Sequence, residues 1–389
     1  MRRTTVTLLA LALAVIAPGV RLQAQAASDL RIYVIDVEGG GGTLFVAPSG
    51  ESLLIDTGNG DAQAARDAAR IMEAVKDAGI TQIDHLVTTH YHGDHIGGLE
   101  ALAKLIPIRH FIDHGANIQP EGSGAKFLPG YQALYGKAKH TVAKPGDTLA
   151  IPGLDIRVVA SAGQVIRTAL PGAGAPNPHC ANTKTIDPDT TENGQSVAIS
   201  MKFGQFRVAH LGDLTWNGEL TLMCPNNLFG TADLFIVSHH AQMRPAAMSN
   251  SEPLVHGLRP RAAISSNGIR KGAEVAAMKV LFSSPGLEDV WQLHFSQLSG
   301  QDYTVPGAFI ANRFDEEETS IPVGAVVRDD VTANLFRAPD GKEAPPAPLH
   351  NGRAFYFKIA AQQNGTFTVT NTRNGFSKTY TKMSAPGTN

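Results

Sequence analysis

The segment Thr89-His90-Tyr91-His92-Gly93-Asp94-His95 packs three imidazoles and a carboxylate into the six positions from His90 to His95. It sits at the end of an expected buried strand over Gln82–Thr88. Alternation at a strand exit lets His90 and His92 reach one metal ion, while Asp94 and His95 face a second a few ångströms away. Imidazole plus carboxylate suits Zn²⁺, with Mn²⁺ or Fe²⁺ as alternatives. Two such ions can share a hydroxide and clamp both oxygens of a hydrolytic transition state. The bland alternative is a cluster of solvated loop histidines. The strand before the motif and the helix-like stretch His95–Leu105 after it argue against that reading.

Joined to Leu54-Ile55-Asp56-Thr57-Gly58 upstream and Leu211-Gly212-Asp213 downstream, the motif resembles the metallo-β-lactamase-fold hydrolases. Three further strings are Val34-Ile35-Asp36-Val37-Glu38-Gly39-Gly40-Gly41, Gln195-Ser196 and Ser238-His239-His240. They resemble the branch containing the extracellular domain of competence protein ComEC and the bacterial phosphorylcholine esterases. The resemblance runs from about Leu30 to about Ser296 and resumes at the C-terminal strands. It implies an α/β fold, a four-layer αβ/βα sandwich of two mixed sheets face to face with helices outside.

The resemblance also implies site roles. His90, His92, Asp94, His95, Asp213 and His239 are the expected metal ligands, with Asp213 bridging two divalent ions. The choice of His239 over His240 is close; the ring that is not a ligand is left to protonate the leaving group, a role that then falls to His240. Asp94 and Asp213 would hold the hydroxide. Asp56 would fix the metal loop, or a ligand tautomer, through hydrogen bonds; a plain turn Asp is the alternative. Three positions depart from the family pattern. A third His for the first ion is replaced by Ser161-Ala162-Gly163, with His179 as the available substitute. His-His-Gly-Ser reads His239-His240-Ala241-Gln242, and Gly-His-Pro reads Lys271-Gly272-Ala273.

Composition bounds the rest. Residues 1–26 read as an export signal, with Arg2 and Arg3, the apolar run Val6–Ile16 and the small-x-small site Ala24-Gln25-Ala26. That apolar run is shorter than the roughly 20 residues a spanning helix needs, and no later stretch qualifies. The mature chain is expected to be soluble and periplasmic or secreted. Removing the signal takes away Arg2, Arg3 and Arg21 and no acids, moving the formal net charge from −2 to −5. A strong nucleic-acid signature is absent, because gripping long polyanions requires a basic face. A small-molecule substrate fits better. Cys180 and Cys224 are the only cysteines; an even pair in an oxidising compartment favours a disulfide over two buried thiols.

Along the chain, strands are expected at Arg31–Val37, Thr43–Ala47, Ser52–Asp56 and Gln82–Thr88, with an amphipathic helix over Asp61–Ala78 stopped by Gly79. Beyond the metal loop come a helix over Gly97–Leu105 and a strand over Ile108–Ile112, after which the pattern fades from Gly115 to Gly146. The long Gly/Pro/Asn-rich stretch 162–194 is of the kind that lines or covers a site. Residues 27–389 read as a single domain, with 297–352 an insertion and 353–389 supplying strands that complete the sandwich.

Three functions compete at this point. The first is an exported hydrolase of small phosphodiesters or other esters. The second acts on lactones, β-lactams or carboxylic esters. The third is a metal-binding or interaction protein that has lost turnover, prompted by the three departures. A serine nucleophile has no support, since no Gly-x-Ser-x-Gly elbow occurs.

Overall fold

Strand burial separates two kinds of sheet position. Phe357–Ala361 and Phe367–Asn371 bury every second residue fully, the period of a strand with one face on the core. Thr43–Val46, Ser52–Ile55, Leu234–Ile236 and Ala262–Ser265 are buried throughout, as strands covered on both faces must be. The computed structural model describes residues 29–244, 248–299, 302–312, 327–330, 335–337 and 350–381. The expected signal segment, and much of 297–352, lie outside the described residues.

Two large sheets result. The first has the order Ser377–Tyr380, Phe367–Asn371, Phe357–Ala361, Leu30–Val34, Thr43–Val46, Ser52–Ile55, His85–Val87, His110–Asp113, Lys139–Val142. The second runs Ile310–Asn312, Asp289–His294, Ala262–Ser265, Leu234–Ile236, Phe206–His210, Ala198–Phe203, Leu154–Ser161, Thr148–Ile151. Both are mixed. One apolar cluster, including Phe45, Ile156, Met201, Trp291 and Phe357, lies between the sheets. A second joins Phe235 to Leu254 and Met278, and a third joins Leu54 to Ile71 and Leu99, each gluing helices onto an outer sheet face. The layers are therefore helix, sheet, sheet, helix, the expected αβ/βα sandwich.

The helix Ala64–Ala78 illustrates the local logic. Ala68, Ile71, Ala74, Val75 and Ala78 form its buried stripe, and Gly79 ends it at φ 69°, a left-handed turn that glycine adopts without Cβ strain. Several elements escape the sequence pattern: the edge strand Lys139–Val142 and the helices Trp216–Met223 and Glu252–Leu258. Ile310–Asn312, inside the stretch expected as an insertion, pairs with Asp289–His294 as the edge of the second sheet. Cys180 and Cys224 are disulfide-bonded. Among the described residues no helix is long and apolar enough to cross a membrane.

Parallel pairing decides where chemistry can happen. Ser52–Ile55, His85–Val87 and His110–Asp113 run parallel in the first sheet; Phe206–His210, Leu234–Ile236, Ala262–Ser265 and Asp289–His294 do so in the second. Loops leaving their C-terminal ends share one edge of each sheet, the edge where α/β folds gather ligands.

Candidate metal centre

Four donor side chains converge at that edge. Asp94 and His95 come from the loop after His85–Val87, Asp213 from the turn after Phe206–His210, and His240 from the turn after Leu234–Ile236. Their ligand atoms all lie within 4.8 Å of one another. His95 Nε2 is 3.2 Å from Asp213 Oδ2 and 3.4 Å from Asp94 Oδ2; His240 Nε2 is 3.4 Å from each carboxylate. The two imidazole nitrogens are 3.3 Å apart. Donors on a tetrahedron with metal bonds of ~2.0–2.1 Å stand about 3.3 Å apart. The donor set and its spacing therefore fit a divalent ion such as Zn²⁺.

His90 and His92 stand beside this group. His90 Nε2 faces His92 Nδ1 at 3.0 Å and lies 3.9 Å from Asp213 Oδ2. Gln119 Oε1, 3.0 Å from His92 Nε2, accepts the proton there and leaves Nδ1 directed at His90.

His240, not the expected His239, stands with Asp94, His95 and Asp213. The reason is a run of three non-glycine residues in left-handed conformation, with φ 48° at His239, 56° at His240 and 63° at Ala241. Each such residue costs roughly 1–2 kcal/mol, and backbone strain of this kind gathers at functional sites. The turn sends the His240 ring into the cluster, with Ser266 Oγ 3.2 Å from its Nδ1. His239 donates its backbone N–H to Gly212 O and sets its Nε2 3.6 Å from Asp213 Oδ2, beside Asn193. The glycine that the resemblance expected at 241 would have suited this conformation; Ala241 adopts it regardless.

A shell of hydrogen bonds locks the donors. Asp56, itself at φ 62°, accepts from Thr89 N and Thr89 Oγ1, each at 2.8 Å, and holds His95 Nδ1 at 2.7 Å. His95 Nε2 is thereby aimed into the cluster. Gly41 N donates to Asp94 O, and a Cβ on Gly41 would fall 2.5 Å from Asp56 Oδ2 and 2.7 Å from His95 Nδ1. Only glycine fits there. Ser196 Oγ accepts from Asp213 N, and Ser238 Oγ donates to the carbonyls of Gly212 and Leu214.

The electrostatics suit a cation. Burial opposes charge on His95, but Asp213, Asp94 and Asp56 outweigh it and hold its pKa well above the usual imidazole value. Burial also opposes charge on Asp94; Lys271, His95 and His240 nevertheless hold it well below the usual carboxylate value. Asp213 is likewise lowered against burial, chiefly by His240, His95 and His239. Burial pushes His90 well down and His239 down to about 3, so both rings are neutral donors at ordinary pH. A cation bound among these donors would supply the compensation that the proton on His95 now provides.

Other expected or suspected residues lie elsewhere. His179 is not in this group; it sits with Glu252 and His256. His294 packs against Asp36 and Glu38, and His114 against Glu192. The sequence pattern does not reveal Glu192, Asn193, Gln119 and Lys271 as site neighbours. Glu192 carries Tyr91 N at 3.1 Å and Ile118 N at 2.7 Å, bracing the metal loop from the end of the 162–194 stretch. Lys271 Nζ contacts Asp94 Oδ2. Its position in place of Gly-His-Pro was the available signal.

Residues 38–184 match the family model described as the metallo-beta-lactamase superfamily. That match spans less than half of the chain; the architecture is the αβ/βα sandwich of the metallo-β-lactamase fold. It is 35% identical over 82 residues to an atrochrysone carboxyl ACP thioesterase of Pseudocercospora fijiensis, covering 21% of this chain and 23% of that protein. It is 33% identical over 111 residues to a hydroxyacylglutathione hydrolase of Rhodobacter capsulatus, covering 28% of this chain and 37% of that protein. The matches thus span well under half the length of these curated relatives. Among solved structures, the metallo-beta-lactamase fold protein YhfI from Bacillus subtilis aligns at a TM-score of 0.42 with 15% identity, over 68% of this chain and 96% of that one.

Proposed function

We propose that this protein is an exported, dinuclear metal-dependent hydrolase of small esters. The observation that carries the reading is the convergence of Asp94, His95, Asp213 and His240 at tetrahedral donor spacing. One ion would be held by these four and a second by His90, His92 and Asp213, with His239 as a further imidazole donor. When bound, the ions supply a solvent nucleophile at neutral pH and positive charge for the transition state. Asp213 and Asp94 orient the attacking water and accept its proton. His239, kept neutral because burial holds its ring down to about 3, serves as an imidazole donor rather than as the acid, and the leaving atom takes its proton from solvent. Lys271, partly exposed beside Asp94, receives an anionic portion of the substrate.

Two substrate classes have support. The motif strings that resemble ComEC and the phosphorylcholine esterases favour a small phosphodiester. The thioesterase and hydroxyacylglutathione hydrolase relatives favour a thioester or carboxylic ester, as does the acidic balance of the mature chain. Export is supported by the N-terminal pattern and by the Cys180–Cys224 bridge, since such bonds persist in oxidising compartments.

The test is a panel on the metal-loaded mature chain: a chromogenic phosphodiester, a carboxylic ester, a thioester, a lactone and a chromogenic cephalosporin. Turnover of one class, abolished by chelation and restored by Zn²⁺ or Mn²⁺, is the expected result. Turnover of none, together with an Asp213→Ala variant of unchanged metal content, would replace this reading with that of a non-catalytic binding protein.

A further inference from the structure

We propose that His179, Glu252 and His256 form a separate transition-metal site, one that takes Zn²⁺ or a similar borderline divalent ion. Glu252 and His256 lie four residues apart on the helix Glu252–Leu258, so their side chains share one face. His179 reaches the same spot from the short turn Pro178–Cys180. The donor atoms lie within 4.8 Å of one another. His179 Nδ1 is 3.4 Å and His256 Nδ1 3.5 Å from Glu252 Oε1. Both separations exceed a good hydrogen bond and match the roughly 3.3 Å between donors around tetrahedral zinc.

A second observation concerns His256. Its Nε2 is 3.0 Å from Val280 O, a group that only accepts, so Nε2 donates there and Nδ1 is the nitrogen turned to Glu252. Metal-bound histidines are oriented in this way, with the far ring nitrogen donating to a carbonyl or carboxylate. The turn bearing His179 is also fixed in advance. Asn177 Oδ1 accepts from His179 N, Asn177 Nδ2 donates to Met223 O and Pro253 O, and the neighbouring Cys180 is bonded to Cys224. Three protein donors with a solvent-facing side leave room for a water as fourth ligand.

The other compact group, Asp36, Glu38, His294 and His350, lacks that spacing. There the Arg70 guanidinium already sits 2.9 Å from Asp36 and 3.2 Å from Glu38. A cation bound at His179 would staple the 162–194 stretch to the helix Glu252–Leu258, and so steady Glu192 and Asn193 at the metal centre.

The experiment is competitive Zn²⁺ titration of the mature chain against a chromophoric chelator, with His179→Ala and Glu252→Gln beside the parent. The parent should bind one more Zn²⁺ than either variant. Both variants should retain metal at the Asp94–Asp213 centre. In an Asp213→Ala background, Co²⁺ should still give a visible-region absorption band, lost on adding His179→Ala; this readout stands whether or not the chain is a hydrolase. Equal Zn²⁺ stoichiometry and affinity in the parent and both variants, with circular dichroism reporting intact folds, would overturn the site.

Discussion

Among the described residues, two largely buried clusters share one composition, each with two carboxylates and two imidazoles, and they differ in how their donors are spaced. Around Asp94, His95, Asp213 and His240 the donor distances are 3.2–3.4 Å, and the nearest cation is partly exposed Lys271. Around Asp36, Glu38, His294 and His350, the shortest contacts are 2.7 Å from His294 Nε2 to Asp36 Oδ1 and 2.8 Å from His350 Nδ1 to Glu38 Oε1. These are closed hydrogen bonds. Arg70, 5% exposed, adds a permanent positive charge, and burial of His294 is outweighed by Asp36 and Glu38, which hold its ring charged with a pKa pushed up to about 10. Two anions face two cations, so the charge is already balanced. Residue type is thus no guide to metal binding by itself; the resident cation and the donor spacing decide.

The largest effect should come from breaking the first cluster. Asp213→Ala is expected to lower kcat/KM by about 10³-fold or more, the scale of losing a major electrostatic contact to the transition state. Metal per chain should fall with it while circular dichroism stays unchanged. Retained metal would break the contrast between the clusters.

In the second cluster the same kind of cut should cost stability instead. Arg70→Met takes the permanent cation away from two largely buried carboxylates, leaving one of the two negative charges uncompensated, and should destabilise the fold by about 3–5 kcal/mol, read from urea midpoints at constant slope. Metal content should not change. Asp56→Ala, which frees His95 Nδ1 and Thr89, should weaken metal affinity or activity by about 10–100-fold without a comparable stability loss.

A pH series sharpens the comparison further. The folded pKa of His294, about 10, lies above its ordinary value of 6.5. Its contribution to stability is therefore complete below pH 6.5 and drains away as pH rises through 10. The thermal midpoint should fall more steeply over that window in the parent than in His294→Gln; parallel curves would show that the ring is not charged. The smallest effect belongs to Lys271→Gln. Removing a cation that competes for Asp94 should tighten Zn²⁺ binding several-fold, since partly exposed charges contribute about 1 kcal/mol or less.

Much of this site was legible because it depends on local spacing. The His90–His95 string, Asp56 and Asp213 are each set by a strand end and the turn that follows it, and such turns leave short signatures. What stayed hidden depends on backbone direction or on distant partners. Nothing in His239-His240-Ala241 announces three consecutive left-handed residues, so the ring facing the cluster could not be chosen. Glu192 and Gln119 act across long sequence gaps. The second cluster was equally obscure, as Arg70 and His350 are 280 residues apart. In the fold, amphipathic Ala64–Ala78 and the alternating C-terminal strands were readable, whereas Trp216–Met223 has no clean apolar stripe and Lys139–Val142 is a half-exposed edge.

Asp94 and His95 belong to the first sheet, Asp213 and His240 to the second. The four-donor group is complete only when both sheets contribute to it. That group therefore forms only once the two sheets have closed on each other. An ion bound there would act as a clasp between the two sheets.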